Sequence, residues 1–350
     1  MSPPPDSLTP DDIVLDALPE AVVAAMEVRD RWATGLQYDG GLEFLVADLS
    51  SWTPGQTVRV AFLGGDDALY EQIEAATQEI GDAANLTLSF RDAGGGFRTW
   101  SEDDTELAAE IRVSFDQDGF FSLVGTDSVD PSIDGGPVGG GPHQRSLNLE
   151  GFDVELRDDW EGTVRHEFLH ALAFHHEHQN MRGPCEAAFR WEDDPGYVPT
   201  RDAAGRFVTD PNGRRPGIYT FLAGAPNNWS KAKVDHNLRT EADSPAVAGP
   251  FDAASVMLYR FPALFYRSQP SPCAPSGDGQ HLSDGDVRAL QLLYPAQQEA
   301  VAAIADRREA LAGLIEGTDG DGGLESTVAL PEIAASAAGR LRESVAAMRA

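Results

Sequence analysis

The sequence is poor in cysteine, in basic residues and in long apolar runs, and each shortage excludes a class of protein. Only two cysteines occur in its 350 residues, Cys185 and Cys273. A disulfide framework is therefore excluded, and at most one bridge can form. The 26 lysine and arginine residues face 57 acidic ones, which gives a formal net charge of −31. That balance argues against nucleic acid or an anionic membrane as a partner, because either would need a basic surface.

The same shortages bear on localisation. No window approaches the roughly 20 apolar residues of a membrane span. Residues 1–20 lack the basic start and the apolar stretch of a secretory signal. We therefore expect a cytoplasmic protein, or one exported by a non-classical route, that does not associate with membranes. If the chain is exported, Cys185 and Cys273 should be bridged, whereas both should be free in a reducing cytoplasm. The sequence does not predict the oligomeric state.

Hydrophobic periodicity divides the chain into three parts. Residues 1–55 form an acidic N-terminal segment with one predicted helix, and they are a candidate regulatory region. Residues 56–296 give a strand, a helix and then several strands, which predicts a mixed sheet with helices packed on it. Residues 297–350 contain two Ala-rich amphipathic helices. The glycine-rich stretch 134–145 lacks the ending of a phosphate-binding loop, so we interpret it as a flexible surface loop.

Histidine is concentrated in one place, since five of the eight histidines fall between positions 166 and 178. His166 and His170 are four residues apart, which places them on one face of a helix, one turn apart. Two imidazoles so placed can reach one zinc ion at about 2.0–2.1 Å. Glu167 lies beside them as a candidate general base. This is the HExxH arrangement of metalloproteases.

A third ligand must come from beyond this helix, which we predict over residues 159–173. His176 is ten residues after His166, about 15 Å along a continuing helix. It can reach the ion only if the chain turns sharply at Ala173-Phe174. An alanine in the left-handed conformation costs about 1–2 kcal/mol. That cost is small beside the roughly 10–16 kcal/mol of zinc binding at structural sites.

Other ligand sets stay open at this point. A glutamate serves as the third ligand in some zinc enzymes, and Glu186 and Glu192 are the candidates here. For the remaining histidines of the tract, His175 and His178, we favour a surface or packing role over metal binding.

Residues 166–179, HEFLHALAFHHEHQ, resemble the astacin branch of the metzincin zinc proteases, whose signature reads HExxHxxGFxHE. Every signature position matches except Ala173, which stands where the family has glycine. Astacins also carry a downstream Met-turn, SxMxY, and residues 255–259 read SVMLY. Weaker similarity, above all to bacterial astacin-like proteins, runs over residues 56–296.

The resemblance implies a complete site. It gives one zinc ion per chain three protein ligands: His166, His170 and His176. Glu167 would be the general base, and Met257 would form an apolar floor under the histidines. Tyr259 would lie near the metal and stabilise the transition state. In astacins, the residue that corresponds to Glu177 commonly pairs with the mature N-terminus.

The implied fold is an α+β metzincin fold. An upper subdomain, residues 56–176, would carry the mixed sheet and helices, and an irregular lower subdomain, 177–296, would end in a helix. An extended protein or peptide substrate would lie between them and pair with an edge strand, either at 120–124 or at 146–150. Arg260, just past the Met-turn, would favour an acidic residue after the cleaved bond.

These features predict a zinc-dependent endopeptidase that hydrolyses peptide bonds. The alternative is a zinc-stabilised binding protein of the same fold that is catalytically weak or latent, although the intact Glu167 and Tyr259 argue against it. In a latent form, residues 1–55 would occupy the cleft, with Asp39 or Asp48 capping the zinc. The sequence does not identify the substrate.

Overall fold

A computed structural model describes residues 18–36, 47–240, 249–317 and 330–350, so that Asp39 lies outside the described residues. The α-helices are α1 Glu20–Thr34, α2 Asp67–Ala83, α3 Trp160–Ala171, α4 Cys185–Ala188, α5 Ile218–Leu222, α6 Lys231–Leu238, α7 Asp284–Leu293, α8 Gln298–Gly317 and α9 Leu330–Arg349. The strands are β1 Thr57–Phe62, β2 Thr87–Ser89, β3 Ile111–Ser114, β4 Phe120–Ser122 and β5 Leu147–Leu149.

The five strands form one mixed sheet in the order β2-β1-β3-β5-β4. All neighbouring pairs are parallel except β4 and β5, which are antiparallel. The sheet that the sequence predicts is therefore present. Of the two segments predicted as the edge strand, only 120–124 is at an edge, as β4. The segment 146–150 lies inside the sheet as β5, between β3 and β4, so its prediction as an edge strand is wrong.

Helices α2 and α3 pack together over the sheet and form the main core with it. The alternating residues of β1, Val58, Val60 and Phe62, are fully buried there. Helix α2 contributes Ile73 and Ile80 at helical spacing, both with no exposed surface. Because α3 has a buried face against this core, it holds its polar residues in fixed positions.

The part of the chain after α3 is largely irregular, with the short helices α4, α5 and α6 and a second apolar cluster. Cys185 and Cys273 lie in this cluster, buried, and are joined by a disulfide across 88 residues of sequence. The structure therefore has the pairing that the sequence predicts for an exported chain. Since regular hydrogen bonding is sparse here, the covalent link replaces part of what a sheet would supply.

The glycine-rich stretch 134–145 is not a flexible surface loop, and that prediction is wrong. Its second half is buried, and the fully buried Arg112 donates hydrogen bonds to the carbonyl oxygens of Gly139 at 2.9 Å and Gln144 at 2.6 Å. A Cβ at Gly140 would collide with the backbone of Asp130. The glycines are needed because two backbone segments approach closely, not because the loop is mobile.

The terminal helices pack together against the rest of the protein. Helices α8 and α9 correspond to the two predicted in 297–350, and they share an apolar cluster with the end of α1. Asp48 is buried and accepts hydrogen bonds from Arg307 at 3.0 and 3.1 Å, with Arg308 close by. The prediction that Asp48 caps a zinc ion is therefore wrong. The three-part division of the chain stays a prediction.

Among the described residues, no helix combines the length and the apolar character that crossing a bilayer requires.

Candidate metal centre

Helix α3 carries the HExxH residues close to the predicted bounds. It begins at Trp160 and ends at Ala171. The side chains of His166 and His170 point from one face of the helix, one turn apart, and both residues are less than a tenth exposed. Glu167 is 1% exposed. Glu167 directly follows His166 on this helix, and a buried carboxylate at that position is a candidate for proton exchange.

The chain reverses immediately after α3, as the histidine spacing predicts. Ala173 has a φ of 69°, in the left-handed region that favours glycine. Its amide donates to His170 O at 2.9 Å, and the amide of Phe174 donates to Leu169 O at 3.0 Å. This turn brings His176 back to the helix face that carries His166.

Three imidazole nitrogens converge at the end of this turn. The Nε2 atom of His170 lies 3.2 Å from Nε2 of His166 and 3.1 Å from Nε2 of His176. In a tetrahedral zinc site, ligand nitrogens lie roughly 3.3 Å apart, because each is about 2.0–2.1 Å from the ion. The donor set and its spacing therefore fit zinc.

The other ring nitrogen of each histidine faces an oxygen. The partners of the Nδ1 atoms of His166, His170 and His176 are, in that order, Val256 O at 2.9 Å, Phe174 O at 2.7 Å and Gln179 Oε1 at 3.4 Å. Carbonyl oxygens can only accept, so these contacts favour the proton on each Nδ1, which leaves each Nε2 available to bind a metal.

The Met-turn contacts His166 and the segment after His176 through its backbone carbonyls, and it is held by a buried carboxylate. Asp286 accepts hydrogen bonds from Ser255 Oγ at 2.6 Å and from the amide of Val256 at 3.1 Å. Met257 is 1% exposed, and its carbonyl accepts from the amide of Glu177 at 3.0 Å. Local spacing in the sequence, with Ser283 three residues before Asp286, predicts for Asp286 only a helix capping box, and that box is present. Its second use could not be read from local spacing.

The ring of Tyr259 lies among the imidazoles. Its centroid is 5.2 Å from that of His166 and 4.6 Å from that of His176. On its other sides it contacts the rings of His178 and Phe261, at 5.2 and 5.6 Å. Tyr259 is therefore next to His166 and His176 and only partly buried.

Glu177 is bonded within the chain. Its Oε1 atom accepts from the side-chain amide of Asn180 at 2.9 Å and from the backbone amide of Asp252 at 2.8 Å. Burial raises the pKa of Glu177 to about 7, although these two bonds act in the opposite direction. The carboxylate ties the segment after His176 to the segment that leads into the Met-turn.

The alternative ligands lie elsewhere. Glu186 binds Arg239 and the amide of Thr240, and Glu192 is exposed. His178 is buried, and its Nε2 atom is 2.9 Å from Asn237 O. Within the described ranges, the residues that meet with metal-binding geometry are His166, His170 and His176.

Gln179 is a residue of the site that the sequence did not indicate. Besides facing His176, it donates from Nε2 to the carbonyl oxygens of His236 at 2.9 Å and Arg239 at 3.3 Å. These carbonyls lie at the C-terminal end of α6. Helix α6 therefore supports a residue that contacts one of the three histidines.

The sheet, helix α3, the turn at Ala173 and the Met-turn together define the fold of an astacin-like metzincin, as the sequence resemblance predicts. The solved structure of myroilysin is similar to this chain, with 26% identity and a TM-score of 0.50, over 71% of this chain and 97% of that chain. A second myroilysin structure matches with 24% identity and a TM-score of 0.40, over 70% and 86% of the two chains.

A third similar structure is high choriolytic enzyme 1, a hatching-enzyme zinc protease from the medaka fish Oryzias latipes. It matches with 16% identity and a TM-score of 0.38, over 69% of this chain and 90% of that chain. No family model matches the sequence, and no curated protein shows a significant match.

Proposed function

We propose that this protein is a zinc-dependent endopeptidase. The observation that supports it most is the convergence of three Nε2 atoms, 3.1–3.2 Å apart around His170, whose helix also carries the buried Glu167. Three neutral imidazoles leave one position of a tetrahedral ion open, which is the arrangement of catalytic rather than structural zinc. His166, His170 and His176 would hold one ion per chain.

The chemistry divides among the residues of the site. Zinc, when bound, supplies Lewis-acid polarisation of the substrate carbonyl and an acidic water at neutral pH. Glu167 accepts the proton of the attacking water and passes it to the amine that leaves when the peptide bond breaks. The phenol of Tyr259 donates a hydrogen bond to the oxygen that becomes negative in the tetrahedral transition state. Met257 supports the histidines from below.

The substrate in this proposal is an extended protein or peptide. Strand β4 is at the edge of the sheet, antiparallel to β5, so an extended chain can add to its outer side by backbone hydrogen bonding. Arg260 is exposed and donates to Gly277 O. Its preference for an acidic residue after the cleaved bond is part of the proposal.

The test is digestion of casein by the wild type and by Glu167→Gln, with and without a zinc chelator. Glu167→Gln removes the base and no ligand, so it should keep one zinc per chain and lose about 10²–10⁴-fold in rate. Glu161→Gln is the matched control, because Glu161 lies on the same helix with its side chain about half exposed. It should digest casein at the wild-type rate.

Elemental analysis of the purified proteins supplies the zinc content. Full activity in Glu167→Gln would overturn the mechanism. A wild type that holds one zinc and digests neither casein nor gelatin would instead identify a zinc-stabilised binding protein.

A further inference from the structure

The carbonyl groups at the end of α3 are held by residues far away in sequence. Trp52 Nε1 donates to Ala171 O at 2.8 Å, and the hydroxyl of Tyr294 donates to Leu172 O at 2.9 Å. The backbone carbonyl of Trp52 in turn accepts from Arg308 Nη2, on α8, at 3.2 Å. The turn that follows α3 is thereby tied to the C-terminal helices.

A short 3-10 helix that begins at Gly125 also packs against this turn. Gly125 has a φ of 55°, and a Cβ added there would collide with Ser50 O and lie 3.0 Å from Cβ of Ala173. The side chain of Ala173 packs on an apolar cluster to which α1 contributes Val22 and Met26. A shift of the 3-10 helix or of α1 would therefore reach Ala173 by direct contact.

Two arginines of the terminal helices hold this 3-10 helix. Arg29, on α1, donates to Asp127, whose side chain is 2% exposed. On α9, Arg340 Nη2 lies 2.8 Å from Oδ2 of Asp130, whose side chain is 1% exposed. A buried carboxylate is costly without a compensating charge. The two ion pairs therefore fix both terminal helices against the segment that contacts the turn.

We infer that Arg29 and Arg340 are positioning residues for the turn that brings His176 into the metal centre. They act through the 3-10 helix on Ala173, whose methyl group supplies the contact at a position where astacins have glycine. The inference rests on the proposed function only in taking His176 as a ligand. Helices from both ends of the described chain thus support the site without touching metal or substrate.

Amide hydrogen exchange at the turn tests this in the full-length protein. Arg340→Met keeps an apolar stem of similar length and removes the charge. Arg340 is chosen because its side chain is 24% exposed, so the variant is better tolerated than one at the buried Arg29. In Arg340→Met, the amides of Leu172, Ala173 and Phe174 should exchange at least about tenfold faster than in the wild type.

Arg342→Met is the matched control. Arg342 lies on the same helix, but its ion pairs go to Glu309 and Glu316 of α8 and not to the 3-10 helix. This variant should leave exchange at the turn unchanged. Arg340→Lys retains the positive charge and should stay within about twofold of the wild type. Unchanged exchange in Arg340→Met, equal acceleration in Arg342→Met, or acceleration spread evenly over the chain would each overturn the inference.

Zinc affinity, measured by competition with a chelator, is the second readout. Residues that orient metal ligands typically change affinity by about 10–100-fold when mutated, so Arg340→Met should bind zinc about tenfold more weakly. A merely structural role would lower stability and leave the affinity of the folded protein unchanged. The exchange experiment needs neither metal nor activity. A wild type without peptidase activity would thus overturn the proposed function alone, and unchanged exchange would overturn this inference alone.

Discussion

The Nδ1 atom of His166 lies 2.9 Å from the carbonyl oxygen of Val256, the residue immediately before Met257. Through this contact the Met-turn sets the orientation of a ring on α3. The amide of the same residue, Val256, is bonded to Asp286. One buried carboxylate on α7 therefore acts on the metal centre through a single intervening residue.

Asp286→Ala should damage both stability and metal binding. It removes the acceptor of the Ser255 hydroxyl and of two backbone amides, those of Val256 and Ser283. Hydrogen bonds to charged groups contribute about 1.5–3 kcal/mol each, so we expect at least about 3 kcal/mol of lost unfolding free energy. Zinc affinity should fall about tenfold or more, because the partner of a ligand is released. Urea unfolding and chelator competition measure the two effects.

Ser283→Ala tests whether the effects of Asp286→Ala come from the loss of the helix cap or from the loss of the bonds to the Met-turn. Ser283 caps α7 through the amide of Asp286, and its hydroxyl donates to Asp252 Oδ2 at 2.6 Å, whereas Ser255 and Val256 are bonded to Asp286. Loss of the cap and of the bond to Asp252 should cost about 1–3 kcal/mol and leave zinc affinity unchanged. If Ser283→Ala weakens zinc binding as much as Asp286→Ala does, the effect comes from the helix and the orienting role of Asp286 is wrong.

Ala173→Gly should be almost neutral. Glycine relieves about 1–2 kcal/mol of left-handed strain. Against this, it gives up at most roughly 0.8 kcal/mol for a partly buried methyl group and about 0.4–1 kcal/mol through a more flexible unfolded chain. The unfolding free energy should therefore change by less than about 1 kcal/mol, with zinc retained.

Ala173→Val provides the contrast at the same position. A β-branched residue is a true outlier at a φ of 69°, and its extra methyl groups would press on Gly125. We expect a loss of more than about 2 kcal/mol, the scale of overpacking combined with backbone strain. Equal stability of the glycine, alanine and valine proteins would contradict the turn geometry.

Much of the metal centre could be predicted because the residues that form it are close together in the sequence. His166 and His170 are four positions apart, and a helix alone makes them neighbours. His176 can join them only through a turn, and the observed φ of Ala173 agrees with that requirement. The capping box at Ser283 and Asp286 was likewise readable, since its two partners are three residues apart.

The parts that could not be predicted depend on partners distant in sequence. Alternation identifies a strand but not its neighbours, so both β4 and β5 were plausible edges. Composition suggested that residues 134–145 are flexible, whereas Gly140 is there because the backbone of Asp130 approaches it. The pairing of Arg340 with Asp130 joins residues more than 200 positions apart, and no local pattern encodes it.

Tyr259→Phe tests the phenol of the site without changing its shape. The ring stays among the imidazoles of His166 and His176, so folding and zinc content should hold. Losing one oxyanion donor typically costs about 10²–10³ in turnover. We expect a fall of that size in kcat with little change in KM, because the bond strengthens only in the transition state.

Tyr266→Phe is the control for this variant, because Tyr266 is buried in the same apolar cluster and its ring contacts that of Phe189 at 5.8 Å. It should leave kcat unchanged. If the kcat of Tyr259→Phe is within about threefold of the wild-type value, Tyr259 only packs in the site, because the loss of an oxyanion donor has a much larger effect.

The disulfide between Cys185 and Cys273 should account for a large share of the stability of the irregular part of the chain. It closes a loop of 88 residues, for which the chain-entropy model gives about 4–5 kcal/mol. The double variant Cys185→Ala/Cys273→Ala should therefore lose up to about that much unfolding free energy. The unfolding free energy of the reduced wild type is the comparison. Reduction breaks the bridge but keeps both sulfur atoms, so the difference from the double variant measures the contribution of side-chain packing. Both cysteines lie in the second apolar cluster, whereas α3 packs in the main core, so zinc content should persist where the variant remains folded. Thiol titration of unfolded, unreduced protein checks the premise, and two reactive thiols per chain in protein kept under oxidising conditions would show that the bridge does not form.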